Sequence, residues 1–426
     1  YKVLGATRIT GEKVLTENFA DVAQLTKIFE SELSNYKDFN FLVVDHLEKK
    51  IFFTPGKWEV NKNLVLPKGF TVFCGAGTEL DLINGAKIIS FSPVYFIGSV
   101  NDPILIHSTN STGQGFILSG SKSTSYFRHV EIKNLMSPLQ GALEHMGAIT
   151  ILDSDVSFSD SYFTENRGKI ALMILRSKFR INKTIFKKNQ FDALTAKFST
   201  GNIYSSSFDE SGRSALSFMS SWGWLQGINI QGAGRGLVIK EHSMVNAWTG
   251  EVTAIRNTHT AVACSSSAQS TLQNLLIEDS TIGLESTVEK KGYDACKLDI
   301  GSIVMKQTKI PYLAGREAYM LVEGKVEDIN TENSEGITPL ISALRLQDQE
   351  IVYKMLKEGA DPNQATKLGL SPLEEGVKTG SLPIIRTLLE NGATGARLHP
   401  STFLDFKTEV SRGNLSTARE IFLENL

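Results

Sequence analysis

Two fixed periods follow one another along this chain, and a fixed period dictates a stacked architecture before any motif is read. Between about residues 147 and 310 a small residue followed by an aliphatic one keeps returning. It appears at Ala148-Ile149, Ala171-Leu172, Ala193-Leu194, Ala215-Leu216, Gly236-Leu237, Ala261-Val262 and Gly283-Leu284, in steps of 23, 22, 22, 21, 25 and 22 residues. A second column, Phe163, Phe186, Phe208 and Ile230, steps by 23, 22 and 22. Each period holds short alternating runs such as VSF (156–158) and FRI (179–181), separated by Ser, Asn, Asp and Gly. Two or three short strands fit such a period and a full helix does not. The pattern predicts a parallel β-helix: each period is one coil, coils hydrogen-bond at roughly 4.8 Å, and like residues stack along the axis. Asn166 and Asn189, 23 residues apart, are expected to form an amide ladder.

Past residue 335 the period changes to 33. Thr338-Pro339-Leu340 recurs as Ser371-Pro372-Leu373, Gly359-Ala360 as Gly392-Ala393, and IVYKML (351–356) as IIRTLL (384–389). Proline after the Thr suits a first helical turn, and Gly392 sits where a left-handed helix end is needed. This half resembles the ankyrin-repeat family. Two departures stand out: the family's His after the TPL triplet is Ile341 and Glu374 here, and the third repeat has Leu404-Asp405-Phe406 in place of the triplet. The resemblance implies about three repeats that dock a protein partner.

The expected fold class is mainly β. A parallel β-helix with an N-terminal helical cap (1–50) spans 51–322, a polar junction covers 323–334, and an all-α ankyrin-repeat stack fills 335–426. Apolar residues at helical spacing from Val14 to Ser34 (Phe19, Val22, Leu25, Phe29, Leu33) predict the capping helix, with Thr16 as its N-cap. The Asp45-His46 pair lies in an extended stretch, where neighbours point to opposite faces. Hydrophobic residues make up 41% of the chain, enough to bury a core, and a net charge of −2 gives no basic excess for binding nucleic acid. No apolar run approaches the roughly 18 residues a membrane-spanning helix needs, so membrane attachment is expected only through an anchor upstream of Tyr1. Cys74, Cys264 and Cys296 show no metal-ligand spacing; buried free thiols, or a Cys264–Cys296 disulfide, are both open.

Residues 50–322 resemble the right-handed parallel β-helix, or pectin-lyase-like, superfamily of bacterial type. The stretch PGKWEVNKNLVLPKGFTVFCGAGTEL with PILI (103–106) carries the resemblance, together with the returns Ser161 to Asn166 and Thr184 to Asn189. It implies a fold and an extracytoplasmic site rather than an activity, because members include lyases, hydrolases, esterases, epimerases, adhesins and scaffolds. Ankyrin repeats pull mildly toward the cytoplasm.

The register identifies the outward residues. With Ile149, Ile151, Leu172, Ile174, Leu194, Ala196, Leu216 and Phe218 inward, the alternates on that wall are mostly apolar and hold no carboxylate cluster, as on a surface that something covers. With Phe179 and Ile181 inward, Lys178 and Arg180 face out. Thr200 and Asn202 follow one coil on, then Trp222 and Trp224, with Trp248 near the next coil. Exposed indoles beside cations suit a glycan or protein platform, although a one-residue slip would bury both rings. Trp222, Trp224, Trp248, Lys178 and Arg180 are therefore the candidate binding residues. Asp153 and Asp155 have the spacing of a same-face pair on a strand, but no column stacks two carboxylates and the seven histidines do not cluster.

The sequence thus favours a non-catalytic binding and scaffolding protein of a bacterial cell envelope. Its β-helix would be a rigid rod and its ankyrin end a docking module, with a polysaccharide on the β-helix wall as a second partner and assembly into a larger complex allowed. No cofactor and no metal are expected. The alternative is a lyase or epimerase of acidic glycans, with Lys178, Arg180, Asp192 and Lys197 as catalytic candidates and calcium as its only metal.

Overall fold

The computed structural model describes residues 6–7, 13–14, 33–138, 147–247, 250–287, 296–314, 319–322, 325–327, 329–330, 332 and 336–425. The central body is a parallel β-solenoid. Among the described residues its strands make one 14-stranded sheet and two 11-stranded sheets, here the first, second and third. Each coil contributes one strand to each sheet, as in Lys178–Asn182 (first), Ile185–Lys187 (second) and Asp192–Lys197 (third). The pairings follow the period: Phe186 lies opposite Phe163 and Phe208, and Leu194 opposite Leu172 and Leu216.

Alternation along each strand sends one set of side chains into the bore. Phe163, Phe186 and Phe208 stack at 4.6 and 4.8 Å with their rings within 11° of parallel. Ile149, Ile151, Leu172, Ile174, Leu194, Ala196, Leu216 and Phe218 are fully buried in the same core, as the alternation predicts. The corners explain how so short a period closes. Single residues with positive φ mark three turns per coil: Asp153, Arg176, Phe198 and Ser220 at the first, Asp160, Lys183 and Ser205 at the second, Glu165, Lys188 and Glu210 at the third. Each bend costs about 1–2 kcal/mol outside glycine. Stacking offsets that cost, because the corner N–H still bonds the coil above, as Lys183 does to the Tyr204 carbonyl at 3.1 Å.

Polar ladders run beside the corners. The backbone N–H of Ser121, Ser154, Ser177, Ser199 and Ser221 each donates to the hydroxyl of the next serine in the series, ending on Ser243, at 2.9–3.2 Å. The expected amide ladder is present too: Asn166 Nδ2 donates to Asn189 Oδ1 at 3.1 Å and to the Ile132 carbonyl.

At the N-terminal end, Phe39 and Phe41 plug the bore, and Leu42–Asp45 adds an antiparallel strand to Lys50–Phe53. The capping helix expected over 14–34 falls almost wholly outside the described residues. Of its ends, Val14 pairs with Ala6 in a short antiparallel ladder, and Ser34 bonds the Val65 carbonyl of the first coil. Asp45 caps a turn, accepting from the N–H groups of Leu47 and Glu48, which explains its place beside His46 without chemistry.

Three helix pairs follow the solenoid: Pro339–Arg345 with Gln349–Glu358, Pro372–Thr379 with Leu382–Glu390, and Pro400–Arg412 with Leu415–Glu424. Thr338 and Ser371 cap the first helix of their pairs, and Glu374 closes a capping box on Ser371. Asn330 and Asn363, again 33 apart, tie pair to pair: Asn363 accepts from Thr394 N at 2.8 Å and donates to the Gly392 carbonyl at 3.0 Å.

The helices seat on the side of the solenoid. Ile282, Ile310 and Leu313, which point outward from the last strands of the third sheet, share one core with Leu340, Leu344, Val352 and Leu373. Lys354 pairs with the buried carboxylate of Glu285 in the same wall. The mostly apolar outer face read from the sequence is therefore covered at this end by the chain's own helices. Further along, Ile89, Ile117, Leu152, Met173 and Leu175 on that face are also buried.

Candidate functional site

Like that of the second sheet, the outer face of the first stays open to solvent. Its strands are short and alternate strictly: Lys178–Asn182 and Trp222–Gln226 both run exposed, buried, exposed, buried, half-buried. Lys178 lies opposite Thr200, which lies opposite Trp222, and Arg180, Asn202 and Trp224 form the neighbouring column. The slip that would have buried both indoles does not occur. Gly223 lies under the Phe218 ring, where a Cβ would come within 2.5 Å of it, and Leu225 fills the core. Trp222 is consequently 59% and Trp224 41% exposed. Arg180 holds its guanidinium 5.3 Å from the centre of the Tyr204 ring. Trp248 falls outside the described residues.

The same column carries a feature that the sequence reading missed. Phe52, Phe73, Tyr95 and Tyr126 are paired strand to strand in one outward row, with ring centres 5.2–5.4 Å apart and planes within 29° of parallel. The row continues through Ser157 to Arg180, Asn202 and Trp224. The first sheet thus presents a line of rings, then cations, then indoles, over a length of about 34 Å at ordinary strand spacing. A hollow of about 580 Å³ lies along the Phe52–Phe73–Tyr95 part, edged by Val43 and Ile97. Cys74 lies behind it, and burial pushes its thiol up to about 12, so the sulfur stays protonated and inert.

The residues named for catalysis do not converge. Lys178 and Arg180 are on the first sheet, whereas Asp192 and Lys197 lie on the third. Asp192 is buried and already engaged, accepting from Arg213 Nε at 2.7 Å and from Ser214 N at 3.0 Å. Lys197 Nζ sits 5.5 Å from the Phe198 ring centre. Asp153 and Asp155 are not a same-face pair: Asp153 turns a corner at φ 49° and pairs with Arg176, while Asp155 accepts from Lys178 N at 3.0 Å. Among the described residues no three His, Cys, Asp or Glu side chains are grouped to hold a metal ion. Of the two cysteine arrangements left open, the structure has the bonded one: Cys264 and Cys296 form a disulfide, both buried, and Cys74 is free.

Comparison with known proteins bears on the helical half. Residues 314–397 match the family model described as ankyrin repeats, three copies. The helix pairs within this segment are an ankyrin-repeat stack. Ankyrin stacks generally serve protein–protein interaction, through an extended surface that stacking creates. No curated protein matches the chain in sequence. Among solved structures the chain is similar to PfbA, a surface adhesin of Streptococcus pneumoniae, at 12% identity and a TM-score of 0.21, over 67% of this chain and 89% of that one.

Proposed function

We propose that this is a non-catalytic binding and scaffolding protein of a bacterial cell envelope or surface. In this reading the solenoid is a rigid rod whose first sheet is a binding wall for glycan, and the ankyrin stack docks a protein partner. The observation that carries it is the contrast between the walls. The third sheet's outer face is largely buried, whereas the first sheet keeps Tyr126, Arg180, Trp222 and Trp224 in solvent and in register. Rings and cations at fixed spacing on a stiff surface suit a repeating ligand, through ring stacking and charge-assisted hydrogen bonds. The Cys264–Cys296 disulfide supports a place in an oxidising compartment outside the cytoplasm.

Replacing Trp222 and Trp224 together by Ala is expected to weaken glycan binding at least about tenfold while leaving the fold intact, since both rings are exposed. A glycan screen comparing native and doubly substituted protein tests this, and unchanged binding would contradict it. The lyase or epimerase alternative has little support from the site, because Lys178 and Arg180 share their wall with neither Asp192 nor Lys197. Release of unsaturated uronate, followed by ultraviolet absorbance with and without calcium, would revive it.

A further inference from the structure

The ring row on the first sheet ends at Tyr126, beside a built cleft. One face of Tyr126 stacks on Tyr95, while its other side meets Ser157, a side chain too small to cover it. The next outward residue in the column is Arg180. A ring and a guanidinium therefore stand two strands apart, roughly 10 Å at ordinary strand spacing, across a floor of hydroxyls. The cleft measures about 560 Å³, with Ser157 and Ser159 in its lining and Lys178 beside Arg180. Tyr204, on the strand beyond, backs the guanidinium and holds it in place. One carboxylate, Asp155, also lines the cleft, so two cations face one anion and the balance is positive.

We infer that this cleft binds a single acidic sugar unit, bearing a carboxylate or a sulfate, of a glycan lying along the wall. The inference rests on the glycan-binding reading above. Each part of the chemistry has a counterpart. The C–H face of a pyranose packs on the open ring of Tyr126. The anionic group takes charge-assisted hydrogen bonds from Arg180 and Lys178, and the sugar hydroxyls meet Ser157 and Ser159. A neutral sugar leaves the cations without a partner. An acidic peptide offers no hydroxyls to the floor.

Calorimetric titration of the full chain tests this with four disaccharide-sized probes (a glucuronate-bearing disaccharide, sialyllactose, sulfated lactose and lactose) and with polyglutamate. At least one acidic sugar is expected to bind about tenfold or more tighter than lactose and polyglutamate, with affinity falling as salt rises. Carboxylated and sulfated probes tell the two anions apart. Arg180→Gln and Tyr126→Ala are each expected to cost about tenfold in that affinity. Circular dichroism checks that both exposed positions leave the fold unchanged. Lactose or polyglutamate binding as tightly as the acidic sugars would overturn the inference. So would native-like affinity in both variants; if Trp222→Ala/Trp224→Ala still lost glycan binding, only the cleft would fall and the wall would stand. If no glycan binds at all, both fall.

Discussion

A coil of 22 residues closes because single residues accept a backbone conformation they disfavour. Arg176, Phe198 and Lys183 all sit at φ between 48° and 51°, and none is a residue type that favours this region. Lys183→Gly removes the side chain that opposes the bend while keeping the N–H bond to Tyr204, so it is expected to stabilise the protein by up to about 1 kcal/mol. Thermal unfolding measures it, and a lower melting temperature would show that the corner is not under this strain. The corners were illegible in the sequence for the same reason, since Arg, Phe and Lys give no turn signal. The indoles were legible. Their orientation followed from counting 22-residue steps from Lys178 and Arg180, with Phe179 and Ile181 fixed as core.

At the scale of strands and ladders, apolar columns were the readable part and polar ones were not. Ser154, Ser177, Ser199, Ser221 and Ser243 recur in steps of 23, 22, 22 and 22, so the ladder was present in the sequence. Serine is common at turns, so its return passes for loop punctuation rather than a buried column. Ser199→Ala deletes the hydroxyl that accepts from Ser177 N and leaves a buried N–H unpaired, at a cost of about 1–3 kcal/mol. Denaturant titration is expected to show that loss, whereas Ser123→Ala, at an exposed position, serves as the neutral control. The ring row of Phe52, Phe73, Tyr95 and Tyr126 was missed for a different reason. The steps Tyr95 to Tyr126 and Tyr126 to Ser157 are 31 residues each, so two long coils interrupt the 22-residue rhythm and hide the coils before them.

For the whole molecule, two periods in sequence suggested two stacks joined end to end. The ankyrin stack instead leans on the outer side of the third sheet, through Ile282, Ile310 and Leu313 and the Lys354–Glu285 pair. Periodicity specifies what stacks within each half and is silent on where the halves meet, because that contact uses outward residues of one repeat only. Leu313→Asp places a charge in this buried seam. It is expected to loosen the helices while sparing the solenoid, so limited proteolysis should remove the helical part and leave a β-rich core. Joint loss of both halves, or resistance equal to native, would count against the seam as described.

These scales meet in one proposal, the first sheet as the binding wall of a rod whose third sheet is largely covered. Hydroxyl-radical footprinting of the full chain, free and saturated with an acidic glycan, reads it directly by mass spectrometry. Tyr126, Trp222 and Trp224 on the wall, with Tyr162 on the second sheet and Tyr353 on an ankyrin helix, are all at least 41% exposed and should oxidise in the free protein. With glycan bound, Tyr126, Trp222 and Trp224 are expected to be protected while Tyr162 and Tyr353 react as before. Protection of Tyr162 or Tyr353, with the three wall residues unchanged, would contradict the assignment.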